Sequence, residues 1–130
     1  MKIRFLNESD KDDICTLSYQ INLDHHQNEP RYFRVPVEIG DDWEFWMGCH
    51  EKEGGFVLVC ELEGNVVGFV ACEISPMPNL PFVQPMIKSR IGTIVVAQQH
   101  QRKGIGTALF RRVCEISQER GAVDIGLEGF

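Results

Sequence analysis

The sequence predicts an α/β or α+β fold, with helices packed on a mixed sheet. Three observations carry that reading. Apolar runs fit for strands recur near residues 2–6, 56–62, 66–74, 89–96 and 122–127. Between them, apolar side chains repeat at three- and four-residue steps, the spacing of an amphipathic helix face. Strand and helix patterns are mixed along one chain, in the order strand, helix, helix, strand, strand, strand, helix, strand.

The elements follow in order. Residues 2–6 alternate as a short strand, and Asn7-Glu8-Ser9-Asp10 offers capping side chains and acids for a helix start. Ile14, Leu17, Ile21 and Leu23 place that helix to about residue 23. The stretch DHHQNEPRYFRVPVE, with its two prolines and adjacent histidines, reads as an irregular loop. From Asp41, Trp43, Trp46 and Met47 stand at helical spacing and are expected in the core. Two β-branched runs around Glu63-Gly64-Asn65 predict a tight hairpin. A proline-rich loop precedes a strand from Ser89 to Val96. Ile105, Ala108, Leu109, Val113 and Ile116 form the best-patterned helix, which Gly121 ends. Val123, Ile125 and Leu127 alternate as a last strand.

At 130 residues the chain fits a single domain, 1–130. Its hydrophobic and charged fractions, 43% and 25%, are those of a globular protein. The net charge of -6 argues against a nucleic-acid binder, which needs a basic face, and suits a cationic partner such as an amine or basic peptide. The five cysteines are unpaired in number and widely spaced, with no C-x-x-C, so zinc and disulfide frameworks are not expected. Reduced cysteines, no signal-peptide core after Leu6 and no membrane-spanning run point to a cytoplasmic protein without membrane partners.

The most informative stretch is VVAQQHQRKGIGTALF, residues 95–110. It joins a strand to a helix through a polar, basic, glycine-bearing turn. The first N–H groups of a helix lack intrahelical partners and the dipole adds positive charge there. Glycines at 104 and 106 leave those N–H groups open to a phosphate, and Arg102 and Lys103 add cations. Neither the P-loop pattern nor G-x-G-x-x-G matches, because no Gly-Lys-Ser/Thr occurs and Leu109 takes the third glycine position.

What does match is Gln101-Arg102-Lys103-Gly104-Ile105-Gly106, as [RQ]-x-x-G-x-[GA]. This resembles the acetyl-CoA-binding motif of the GNAT superfamily of N-acetyltransferases, and the order of elements around it is also similar. The resemblance implies a mostly antiparallel sheet, C-terminally short of the family's usual helix and closing strands. It implies that Ile94, Val95 and Val96 pair with the pantetheine arm of acetyl-CoA through backbone groups. It also implies that Gln101, Arg102, Lys103, Gly104, Ile105, Gly106 and Thr107 cradle the pyrophosphate.

The same resemblance implies acetyl transfer to a primary amine of a small molecule or peptide, by direct attack in a ternary complex. The alternative is a non-catalytic acyl-CoA-binding or assembly module of the same fold. Many family members carry a glutamate on the central strand, yet Arg90 stands there in this chain. Glu73, on the preceding strand with apolar neighbours expected to raise its pKa, is the candidate general base. His25 and His26 are expected to line the acceptor site; adjacent residues rarely converge on one ion, so no metal is expected. The open strand at 122–127 predicts a homodimer that completes the sheet.

Overall fold

The computed structural model of the chain describes residues 1–35 and 38–127. In chain order it contains β1 (Lys2–Phe5), α1 (Lys11–Asn28), α2 (Trp43–Glu51), β2 (Gly55–Leu62), β3 (Asn65–Pro76), β4 (Ile87–Val96), α3 (Ile105–Glu119) and β5 (Ala122–Leu127). The strands form one five-stranded sheet in the order β1-β2-β3-β4-β5. Three pairings are antiparallel and β4–β5, joined through α3, is parallel. The fold class matches the mixed, mostly antiparallel sheet with flanking helices that the sequence predicts.

Each face of the sheet carries its own core. Phe56, Leu58, Val70 and Ile91 pack under Ile105, Leu109 and Val113 of α3. On the other face Val57, Val59, Phe69 and Val95 meet Ile14 and Leu17 of α1 and Trp46 of α2. Burial of these side chains, each worth about 1.5–3 kcal/mol, is the main force holding helices to sheet. Gly68 marks a close approach of α3 to the sheet. A Cβ there would stand 2.9 Å from the Val95 carbonyl oxygen and 3.2 Å from Ile105 Cγ2, so its absence lets α3 begin directly on the sheet.

Polar groups lock the periphery. Arg4 holds Asp10 through paired hydrogen bonds of 2.8 and 2.9 Å and reaches Glu61 at 3.0 Å. Burial would push the Asp10 carboxyl up, but Arg4 and the Asn7 N–H hold it below the usual range. On the opposite side, the Trp46 indole N–H reaches Ser18 Oγ at 3.2 Å and Asp42 Oδ2 at 3.0 Å, tying α2 to α1.

Two expectations change. The irregular loop expected from residue 24 begins later, because α1 runs on to Asn28 and carries His25 and His26 in its last turn. No apolar step marks that turn. It is held instead by the His25 ring stacked on Phe33 at 4.7 Å and by His26 Nδ1 at 2.8 Å from the Phe33 carbonyl oxygen. Pro30 then ends the helix, since the residue before a proline avoids helical backbone, and Glu29 has φ -139°. The second change is in β5. The pairing slips between Ile87 and Lys88, so Ala122 faces Ile87 and Asp124 faces Lys88, leaving Val123 as a bulge. Ala122 and Ile125 therefore share the α3 face, whereas Val123 and Leu127 are 65% and 72% exposed.

Candidate functional site

The site starts at the edge of β4. Gly68 faces Val96 and Phe69 faces Val95, and Ala97 N–H bonds the Val67 carbonyl at 2.8 Å. Antiparallel bonding alternates along a strand, so Thr93 and Val95 direct their backbone groups to β3. Ile94 and Val96 direct theirs the other way. On that side the pairing with β5 reaches only Ile91 with Leu127. Among the described residues no strand lies beside 92–96 there. The one partner is a side chain: Gln101 Nε2 donates to the Val96 carbonyl at 3.2 Å. The register also slips between Ala71 and Cys72, which leaves Gly92 outside the pairing and bends β4 at the start of this open edge.

The edge runs into a basic, glycine-bearing loop that ends at an open helix start. After a short 3-10 turn at Gln98–His100, Arg102 has φ 65° and Gly104 has φ 84°. Left-handed residues alternating with ordinary ones turn successive N–H groups to one side. Gly104 occupies the cap position of α3 with no side-chain hydrogen bond, and the first helical bond is Ala108 N–H to the Gly104 carbonyl at 2.9 Å. The N–H groups of Ile105, Gly106 and Thr107 thus have no intrahelical partner. Ile105 is 3% exposed and anchors the turn in the core, whereas Arg102 and Lys103 are exposed, with no ion-pair partner among the described residues. Helix and strand edge are contiguous, since a Cβ on Gly106 would lie 3.8 Å from Val96 Cγ2.

Two cavities flank this edge on the α1 side. One, of about 360 Å³, lies between Gln20 and Asp24 of α1 and the Gln98–Gln101 turn. The other, of about 280 Å³, is enclosed by His25, Phe33 and Trp46 on one side and Thr93, Ile94 and Leu127 on the other. Of the two histidines expected at an acceptor site, His25 lines the second cavity, from the last turn of α1, and His26 is not among its lining residues.

Glu73 lies on β3 opposite Arg90, in a separate hollow of about 290 Å³ that meets the second cavity at Gly92. Its electrostatics differ from expectation. The Lys52 ammonium, 2.9 Å away, holds the carboxyl below its ordinary value, opposed by modest burial and aided by Arg90. The burial expected to raise it is outweighed by Lys52, which the end of α2 brings over the carboxyl and no pattern in the chain announces. Among the described residues no group of three His, Cys, Asp or Glu could hold a metal ion. The cysteines are all free, and burial pushes the Cys15, Cys49, Cys60 and Cys72 thiols up. No described helix is long and apolar enough to cross a membrane.

Sequence reasoning missed Phe33 and Trp46 as cavity walls and the turning of Gln101 onto Val96. Trp46 has a helical-face pattern that also fits the core, where 93% of it lies (7% exposed). Phe33 and Gln101 leave no pattern signal at all.

Comparisons with known proteins agree with this geometry. The model of the acetyltransferase (GNAT) family matches residues 21–128. An uncharacterized N-acetyltransferase of Methanocaldococcus jannaschii is 28% identical over 119 residues, which are 92% of this chain and 49% of that protein. The chain therefore spans about half the length of that relative. Among solved structures, a point mutant of a Bacillus halodurans protein superposes with TM-score 0.91 at 21% identity, covering 100% of this chain and 83% of that one. An acetyltransferase from Vibrio fischeri gives TM-score 0.79 at 18% identity, covering 99% and 96%. At these identities the two structures establish a shared fold.

Proposed function

The chain belongs to the acetyltransferase (GNAT) family, and on that premise we propose that it transfers an acetyl group from acetyl-CoA to a primary amine. The acceptor is a small molecule or a peptide, attacking directly in a ternary complex. One observation supports this above the others: the open edge of β4 runs straight into the unpartnered N–H groups that begin α3. An extended arm with amides and an anion at its end fits that surface, the arm by strand-like pairing and the anion at the helix start.

In this reading Ile94, Val95 and Val96 hold the pantetheine arm, with Ile94 and Val96 offering the backbone groups and Val95 fixing the strand to β3. Gln101, Arg102, Lys103, Gly104, Ile105, Gly106 and Thr107 hold the pyrophosphate. The Val96 N–H is the donor for the thioester oxygen as it gains charge during attack. Acetyl-CoA supplies the activated acyl group, as a substrate. Glu73 takes the amine proton, through water at the Gly92 bend. Lys52 keeps it ionised at neutral pH, and weakens it as a base for as long as the pair is closed.

The reading also takes 1–130 as a single domain, since both cores share one sheet. It takes the protein as cytoplasmic because its five cysteines are free. It takes it as a homodimer through β5, whose outer edge has no neighbouring strand among the described residues. Release of free CoA thiol with an amine panel tests the transferase reading. Acetyl-CoA binding without release from any amine would favour an acyl-CoA-binding module instead.

A further inference from the structure

We propose that the acceptor is an aromatic monoamine, its ring held between the His25–Phe33 pair and Trp46 and its amine directed at the Ile94 edge of β4. The inference rests on the acetyltransferase reading and names the substrate class for it.

The cavity's chemistry selects against a polycation. Its lining contains no carboxylate, and His25 is its one titratable side chain among the described residues. An aminoglycoside or a lysine-rich segment would bring several charges into a hollow with no counter-ion, and an unpaired buried charge is costly. The chain's net charge of -6 does not alter this, because charge acts at a site only where it is placed. The acids around it are engaged or lie outside it: Asp42 accepts from Trp46 and Ser18, Glu73 pairs with Lys52, and Asp24 lines the neighbouring cavity toward the Gln98–Gln101 turn.

Aromatic geometry selects for a ring. His25 and Phe33 stack at 4.7 Å with their planes 23° apart, and Trp46 stands edge-on to Phe69 at 5.0 Å. All three of His25, Phe33 and Trp46 line the cavity, and a bound ring gains by stacked or edge-on packing against such neighbours. The volume of about 280 Å³ is at the small end of ligand sites, suited to one or two rings with a short arm.

A single amine has partners there. Asn22 donates its amide N–H to Ser18 Oγ at 3.4 Å, which leaves its carbonyl oxygen to accept from an ammonium. Thr93 faces Ala71 across the strands and so lies on the cavity's side of the sheet. Transfer forms the N–C bond and breaks the C–S bond. The ammonium loses two protons, one ending on the CoA thiol and one in solvent.

The experiment measures thiol release from acetyl-CoA with phenethylamine, tryptamine, n-butylamine, kanamycin and a lysine-rich peptide. In parallel, acetyl-CoA thermal shifts are recorded for the wild type, Phe33→Ala, Phe33→Leu and Phe33→Tyr. The expected result is a kcat/KM for the two aromatic amines at least tenfold above the other acceptors. Phe33→Ala and Phe33→Leu should lose most of that advantage through KM, Phe33→Tyr should keep it, and all should retain the acetyl-CoA shift. Equal or faster turnover of kanamycin or peptide overturns the proposal. So does a Phe33→Leu enzyme with undiminished preference, or thiol release that is the same with every amine. An acetyl-CoA shift with no turnover of any amine overturns it too, while absence of the shift defeats the acetyltransferase reading itself.

Discussion

Placing a carboxylate at Gly106 should abolish acetyl-CoA binding while leaving the fold intact or slightly firmer. Gly106 is in the first turn of α3, and a Cβ there meets only Val96 Cγ2, at 3.8 Å, an ordinary contact. The backbone is helical, so no strain is added. A carboxylate in the first turn gains about 0.3–1 kcal/mol from the helix dipole. It would answer the same N–H groups that the reading reserves for pyrophosphate. At ~5 Å from one phosphate charge, with an effective dielectric of ~20, the repulsion is about 3.3 kcal/mol, or ~250-fold in Kd. Wild type at a hundredfold excess over its Kd should be stabilised by about 2.7 kcal/mol; the Gly106→Asp protein at the same concentration keeps only about 0.2. For a chain of this size the first figure is a melting shift on the order of 10 °C and the second under about 1 °C. Differential scanning fluorimetry reads both. Gly106→Ala, which the motif allows, should retain the shift. A full shift in Gly106→Asp would refute the assignment of the anion to this helix start.

The other expectations are as follows. Gly104→Val should lower stability as well as binding, because φ 84° is a backbone that β-branched residues avoid, and a melt without ligand checks this. Glu73→Gln should cut turnover at least tenfold with acetyl-CoA affinity unchanged; since Lys52 lowers the carboxyl, the wild-type rate should show no limb from this group above pH 4.5. Asp10 has a lowered folded pKa, so its stabilisation is full above the unfolded value and lost as pH falls through the folded one. Melts from pH 7 to 2 should therefore fall most below the ordinary value of 3.8, and less steeply in Asp10→Asn. Arg4→Met should cost roughly 3 kcal/mol in urea unfolding, having left Asp10 buried without its cation. Light scattering at high concentration should show self-association, weakened by Val123→Lys on the exposed β5 bulge; a strict monomer would count against the dimer.

The fold was legible because its main elements declare themselves locally. The hairpin follows from Glu63-Gly64, which take φ 53° and 83° in a two-residue turn, and α3 from its apolar spacing. The turn between β4 and α3 was legible for the same reason: Gly104 takes φ 84° at the cap position from which α3 starts. What escaped the sequence is set by tertiary contact. The last turn of α1 exists because Phe33 packs on His25 and His26, and nothing apolar in residues 24–28 announces it. The alternation of 123, 125 and 127 marked the strand, whereas the bulge at Val123 that puts Ala122 beside Ile125 on the core face leaves no pattern. The raised pKa expected at Glu73 depended on neighbours in its own strand, whereas its partner arrives from α2, twenty-one residues earlier.

The central claim is that the β4 edge and the start of α3 together form the acetyl-CoA site. An amide NMR titration of the ¹⁵N-labelled chain with CoA tests it most directly. The account predicts that the largest shifts fall on the amides of Ile94, Val96 and 102–107, with Val95 and α2 little moved. Saturable shifts elsewhere, with the amides of 104–107 unmoved, would contradict it.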